Sequence, residues 1–95
     1  MEAEKKVVIQ NKSGLHARPA ALFVQTANKY ESDITVTKDK TKVNGKSIMG
    51  ILMLAADKGS VVTIAAQGED AETAVNELSQ LLLNDTDYGF GGKAK

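Results

Sequence analysis

The only histidine, the only arginine and the only proline of this 95-residue chain fall within four consecutive positions, His16-Ala17-Arg18-Pro19. An imidazole offers a nucleophilic nitrogen near neutral pH, and a guanidinium offers a fork of donors that fits an oxyanion. Proline is tolerated in the first turn of a helix, where amides have no intrahelical partner to lose. From Ala17 to Tyr30 the apolar residues Ala20, Phe23, Val24 and Ala27 recur at three and four, the spacing of one helical face. A helix beginning at Ala17 makes His16 its N-cap and puts Arg18 and Pro19 in the second and third positions. The amides of Ala17 and Arg18 are then unpaired and directed out of a helix end that carries roughly half a positive charge. An anion fits there. Gly14 lets the approaching backbone take a conformation other residues resist, and keeps bulk away from the ring.

The positive helix end and the Arg18 charge both disfavour an imidazolium, so they favour the neutral ring, whose free lone pair a nucleophile needs. Should that nitrogen attack a phosphoryl group, the product's oxygens would lie near the Ala17 and Arg18 amides and the Arg18 fork. A nitrogen–phosphorus bond also suits a carrier that must give the group away as readily as it takes it. The plainer reading is that His16 is a surface cap and Arg18 pairs with a carboxylate. A metal site is disfavoured, since there is no second histidine and no cysteine. A thiol nucleophile is impossible for the same reason, and a hydrolase triad built on Ser13 has no supporting motif.

The elements that must hold these residues can be read from periodicity. Val7 and Ile9 alternate with polar or outward positions and predict a strand near residues 5–10. Asp33–Lys38, "DITVTK", predicts a second strand, and a shorter run around Lys42–Asn44 a third, antiparallel to it. Asn44-Gly45 is a turn signal. Ile48, Ile51, Leu52 and Ala55 predict a short second helix, with Ser47 before it and Gly59 as its left-handed stop. "SVVTIAAQ", residues 60–67, predicts a fourth strand. Ala71, Ala74, Val75, Leu78, Leu81 and Leu82 form the clearest amphipathic pattern, opened by Glu69, Asp70 and Glu72. One-faced helices laid on one face of a small sheet bury both apolar surfaces. The expected fold is therefore α+β, a two-layer sandwich.

Composition narrows the function. A chain this short forms one domain and buries only about 60 to 65% of its unfolded surface. Twelve basic residues balance twelve acidic ones, which argues against nucleic acid as partner. Ten of the basic residues lie in the first 60 positions, against six acids there, so the half that holds His16 suits an anionic ligand. The first ten residues are neither a signal peptide nor a membrane span, and a soluble cytoplasmic domain spanning residues 1–83 is expected. Residues 84–95, with three glycines and no period, read as a flexible tail.

"SGLHARPAAL" together with "KSIMGILML" resembles the histidine-containing phosphocarrier protein, HPr, family of the bacterial phosphoenolpyruvate-dependent sugar phosphotransferase system. The likeness spans residues 5–83, with both motifs in order and about thirty residues apart. It implies an open-faced sandwich of four antiparallel strands with three helices on one face. It implies that His16 is phosphorylated on Nδ1 by the phosphoenolpyruvate-dependent first enzyme, assisted by Arg18, and that the group passes to sugar-specific permease subunits. The protein is then a carrier acted on by enzymes, a monomer with no cofactor. Some regulatory relatives have lost the histidine, which this chain keeps.

By its residue type Ser47 is a good N-cap, worth ~1 kcal/mol of helix stability over alanine. In relatives that carry "KSIMG" this serine is phosphorylated by an ATP-using kinase/phosphorylase, and the modified protein assists a transcription factor in catabolite repression. Phosphate at a helix start is tolerated by the dipole, so the modification should change the surface more than the fold. Ile48, Met49 and Met53 are expected to form an exposed apolar patch where partner enzymes dock. Close relatives often show a larger residue at Gly45. The competing assignments are a regulatory phosphocarrier of a nitrogen-linked branch and a non-catalytic anion-binding domain.

Overall fold

Alternating burial along four segments builds the sheet, because side chains two apart in a strand share a face. In a computed structural model, which describes residues 1–84 apart from Asn11 and Ser13, these are β1 (Glu2–Val8), β2 (Asp33–Lys38), β3 (Thr41–Asn44) and β4 (Val61–Gln67). All pairs are antiparallel, in the order β1-β4-β2-β3. The register sets Val7 against Val62, Val36 against Ile64, and Ala66 against both Ala3 and Ile34. Val7, Val62, Ile64, Ala66, Ile34 and Val36 are all buried and make one apolar face across three strands.

Three helices cover that face: α1 (Ala17–Ala27), α2 (Ile48–Met53) and α3 (Ala71–Asn84). α3 lies on β1 and β4, and α1 packs beside both α3 and α2. Phe23 of α1, Ile51 of α2 and Leu78 of α3 are fully buried and join the sheet residues in one core. The opposite face, with Glu4, Lys6, Asp33 and Lys42 exposed on it, is uncovered. The α+β sandwich expected from the sequence is the observed architecture.

Three boundaries differ from the periodicity reading. β1 starts at Glu2 rather than at residue 5 and ends at Val8 rather than 10, because β4 is long enough to pair Glu2 with Gln67. Ile9 leaves the ladder, yet its amide donates to Ser60 O at 2.9 Å and its carbonyl accepts from Gly59 N at 2.9 Å. α1 ends at Ala27, not Tyr30; the Asn28 side chain donates to Val24 O at 2.9 Å and to Lys46 O at 3.3 Å, which closes the helix and ties it to the approach to α2. α2 ends at Met53, with the left-handed residue at Ala55 (φ 50°) instead of Gly59, which serves the turn into β4. Gly45 lies in a turn as expected and is closely packed as well: a Cβ there would stand 2.6 Å from Ile34 Cγ2, so a larger residue requires the Ile34 side chain to shift. The expected tail lies outside the described residues, except that Asn84 closes α3.

Candidate functional site

His16 is positioned by the residues before it. Gly14 has φ +70° and runs so close to the 56–57 backbone that a Cβ would stand 2.4 Å from Ala56 O. Leu15, 5% exposed, donates its amide to that same carbonyl at 2.8 Å. With Leu15 anchored inward, the next residue faces out. His16 is extended (φ −93°, ψ −165°), its carbonyl accepts from Ala20 N at 2.9 Å, and its amide donates to Gly14 O at 3.0 Å.

The backbone of His16 therefore caps α1 while its ring makes no capping hydrogen bond and is exposed. Ala17 and Arg18 are exposed, whereas Pro19 and Ala20 are buried, so the first turn sits half on the core and half in solvent. Among the described residues neither the Ala17 nor the Arg18 amide has an acceptor, and the Arg18 guanidinium has no carboxylate partner. The first turn of α1 contains no acid to offset its positive end. Nucleophile, vacant donors and cation thus share one solvent-facing helix tip, an arrangement that can receive an oxyanion.

Ser47 occupies the N-cap of α2. Its hydroxyl accepts from Gly50 N at 3.1 Å, and its carbonyl accepts from Ile51 N at 3.0 Å. The side chain is half-buried, so the capping oxygen lies at the edge of solvent. Ile51 turns into the core and Leu52 packs partly against it, while one face of this short helix is left uncovered. Met49 is 63% exposed, Met53 71% and Ile48 36%. α1 and α2 pack against each other.

The strongly held ionisable groups lie elsewhere. The Tyr30 hydroxyl donates to Glu77, which together with burial and the Glu77 charge pushes its pKa up to about 12. The Ser32 hydroxyl and the amides of Glu31 and Ser32 all donate to Asp70 and hold its carboxyl below the usual range. Both clusters join the α1–β2 connection to α3 and neither includes a predicted site residue. A shallow depression of about 480 Å³ opens on the bare sheet face between Glu4, Asp33, Thr35, Lys42 and Gln67, with no contribution from residues 16–18 or 47–53. Among the described residues no group of three or more potential ligands could hold a metal ion, and no helix is long and apolar enough to cross a membrane. In the sequence Ala55 and Gly59 serve only to end α2, and nothing there foretells that Ala56 holds Gly14 and Leu15, since a contact between segments about forty residues apart leaves no periodic signal.

Residues 3–84 match the family model described as the PTS HPr component phosphorylation site. The chain belongs to the HPr family. It is 53% identical to the HPr-like protein Crh of Bacillus subtilis over 80% of its own length and 89% of that protein's. The solved phosphocarrier protein HPr of Bacillus anthracis superimposes with a TM-score of 0.82 at 49% identity, covering 85% of this chain and 96% of that one. An HPr dimer of Thermoanaerobacter tengcongensis matches with a TM-score of 0.71 at 52% identity, covering 88% and 94%. Members of this family act as phosphoryl carriers in the phosphotransferase system, and the fold that serves them is the one described above.

Proposed function

We propose that this chain carries a phosphoryl group on His16, taking it from the phosphoenolpyruvate-dependent first enzyme and giving it to sugar-specific permease subunits. The observation that supports this most is the exposed, uncommitted ring of His16 beside two amides that have no acceptor among the described residues. In the forward step the Nδ1 lone pair of a neutral ring attacks phosphorus. A nitrogen–phosphorus bond forms, the bond to the donor breaks, and its electron pair leaves with the donor. The phosphoryl oxygens then meet the Ala17 and Arg18 amides and the guanidinium fork. Transfer onward reverses these movements, so the chain is a shuttle that leaves no net change in itself, rather than an enzyme, and works in the cytoplasm without a cofactor. An exposed acceptor suits delivery between proteins better than a pocket would.

Ser47 is the second modification site in this reading. Phosphorylation by an ATP-using kinase would place about −2 charge beside Ile48 and Met49 and replace the capping hydroxyl by a phosphate that the same helix start accepts. Docking of the first enzyme and permease subunits on Ile48, Met49 and Met53 would then be weakened, and a catabolite-repression transcription factor recruited. The identity to Crh favours such a regulatory output alongside the carrier role.

Incubation with phosphoenolpyruvate and the cognate first enzyme is expected to add one acid-labile phosphoryl group, absent in His16→Ala. Arg18→Ala should slow the uptake by on the order of tenfold, the equivalent of one charge-assisted hydrogen bond. A wild-type chain that gains no phosphate with any such enzyme would leave only an anion-binding domain. The carrier is proposed to act as a monomer, and light scattering at twice the 10.1 kDa chain mass would replace that with the dimer seen for the Thermoanaerobacter relative.

A further inference from the structure

The carbonyl that anchors Leu15 belongs to a segment whose shape is not intrinsic to its residues. Ala55 has φ 50°, a left-handed conformation that an alanine adopts only when its surroundings impose it. Its amide continues the helical turn, donating to Leu52 O at 3.1 Å. One residue further on, Ala56 is 2% exposed and presents its carbonyl to Leu15 N. What holds the backbone between these two fixed points is a side chain from the sheet. The Nζ of Lys38, the last residue of β2, donates to Leu54 O at 3.2 Å and to Ala55 O at 3.1 Å. An ammonium bound to two successive carbonyls fixes both peptide planes, and the Ala55 carbonyl shares its plane with the Ala56 amide.

We propose that Lys38 is a positioning residue for phosphoryl transfer, holding Ala55 left-handed so that the Ala56 carbonyl anchors Leu15 and sets His16 at the tip of α1. This rests on the carrier role of His16 proposed above. Lys38 touches neither the ring nor the phosphoryl group in this account; it acts through Ala55, Ala56 and Leu15. Without it Ala55 relaxes toward right-handed geometry, the Ala56 carbonyl rotates, and the ring samples orientations in which Nδ1 does not face the donor. The Lys38 Nζ bonds backbone carbonyls just past α2, while the Met49 and Met53 side chains stay exposed to solvent, so docking should be spared.

The test uses the full chain with the first enzyme and phosphoenolpyruvate, and compares Lys38→Met, Lys38→Arg and Lys38→Met/Ala55→Gly. Lys38→Met is expected to lower kcat for His16 phosphorylation about fivefold with KM within twofold of wild type. Lys38→Arg, which keeps the donors and the charge, should recover most of the rate. The double variant should recover it as well, because glycine takes the left-handed conformation without an imposed lock. Direct electrostatic contact of Lys38 with the partner predicts the opposite, a raised KM and no rescue by Ala55→Gly, and either result overturns the proposal. Amide exchange at Leu15, measured on the chain alone, should be faster in Lys38→Met than in wild type. Unchanged exchange overturns the latch whatever the enzymes do, while a wild-type chain that takes up no phosphate strikes the carrier reading instead.

Discussion

His16 and Ser47 are both N-caps, and they differ in what their side chains do. Ser47 spends its hydroxyl on Gly50 N, while His16 caps with its carbonyl alone and leaves its ring to solvent. A histidine cannot fold back onto the first turn as neatly as a serine, so a helix end capped this way keeps vacant amides, a local cost in hydrogen bonding that a bound phosphoryl group would offset. The geometry depends on a residue with no side chain at all. Gly14 combines φ +70° with contact distance to Ala56 O, and neither tolerates a Cβ. Gly14→Ala is therefore expected to destabilise the fold by more than ~1 kcal/mol in urea denaturation. It should slow His16 phosphorylation as well, since relief of the clash moves Leu15 off Ala56. A variant with wild-type midpoint and wild-type transfer rate would show that the approach to His16 is looser than this packing implies.

Among the elements, α2 is the one whose stability hangs on a single side chain. It has six residues, one of them glycine; Ile51 alone is fully buried and Leu52 packs only partly against the core, so loss of the cap falls on a helix with little else to hold it. Ser47→Ala should cost about 1 kcal/mol, and Ser47→Asp, whose carboxylate can accept from the same amide, should restore most of it. If the added charge acts on docking rather than on the fold, Ser47→Asp will also raise KM for the first enzyme while Ser47→Ala leaves it near wild type. Steady-state transfer assays beside thermal melts check both halves. β2 and α3 were legible because their patterns are local: "DITVTK" alternates without interruption, and six apolar residues of α3 share one stripe. The start of β1 was not, because its first pairs exist only through the length of β4. Neither was the end of α2, since an alanine reveals nothing of a left-handed conformation imposed by Lys38 from another strand. The site divides the same way. His16, Ala17 and Arg18 lie within one helical turn and could be placed from spacing, whereas Ala56, which anchors Gly14 and Leu15 just before them, is about forty residues away in the chain.

At the scale of the molecule, the two ends of α1 have separate duties. Its N-cap is His16, the proposed phosphoryl acceptor; about 16 Å away, at 1.5 Å per residue over eleven residues, its last residue leads into a connection that is bound to α3. There Asp70 accepts from Glu31 N at 2.9 Å, from Ser32 N at 3.0 Å and from the Ser32 hydroxyl, while its carbonyl accepts from Ala74 N at 2.9 Å to open α3. Gly68 completes the clip, for a Cβ on it would stand 2.5 Å from Ser32 Oγ. One carboxylate thus joins α1, β2, β4 and α3 at the end of the fold opposite His16. Because folding lowers the Asp70 pKa below 3.8, the ionised form is the one the native state favours. Its stabilising contribution is complete above 3.8 and is lost as pH falls through the lower folded value. Asp70→Asn keeps the size of the side chain but removes the charge, so at pH 7 it should melt a few degrees below wild type. The gap should narrow below pH 3.8 and close as the wild-type carboxyl takes up its proton. Phosphoryl transfer by Asp70→Asn at a temperature well below either melt should match wild type, since nothing in the clip touches the tip of α1. A melting gap that persists undiminished at pH 2 would mean that shape rather than charge holds this corner, and a lowered transfer rate would mean that the two ends of α1 are coupled.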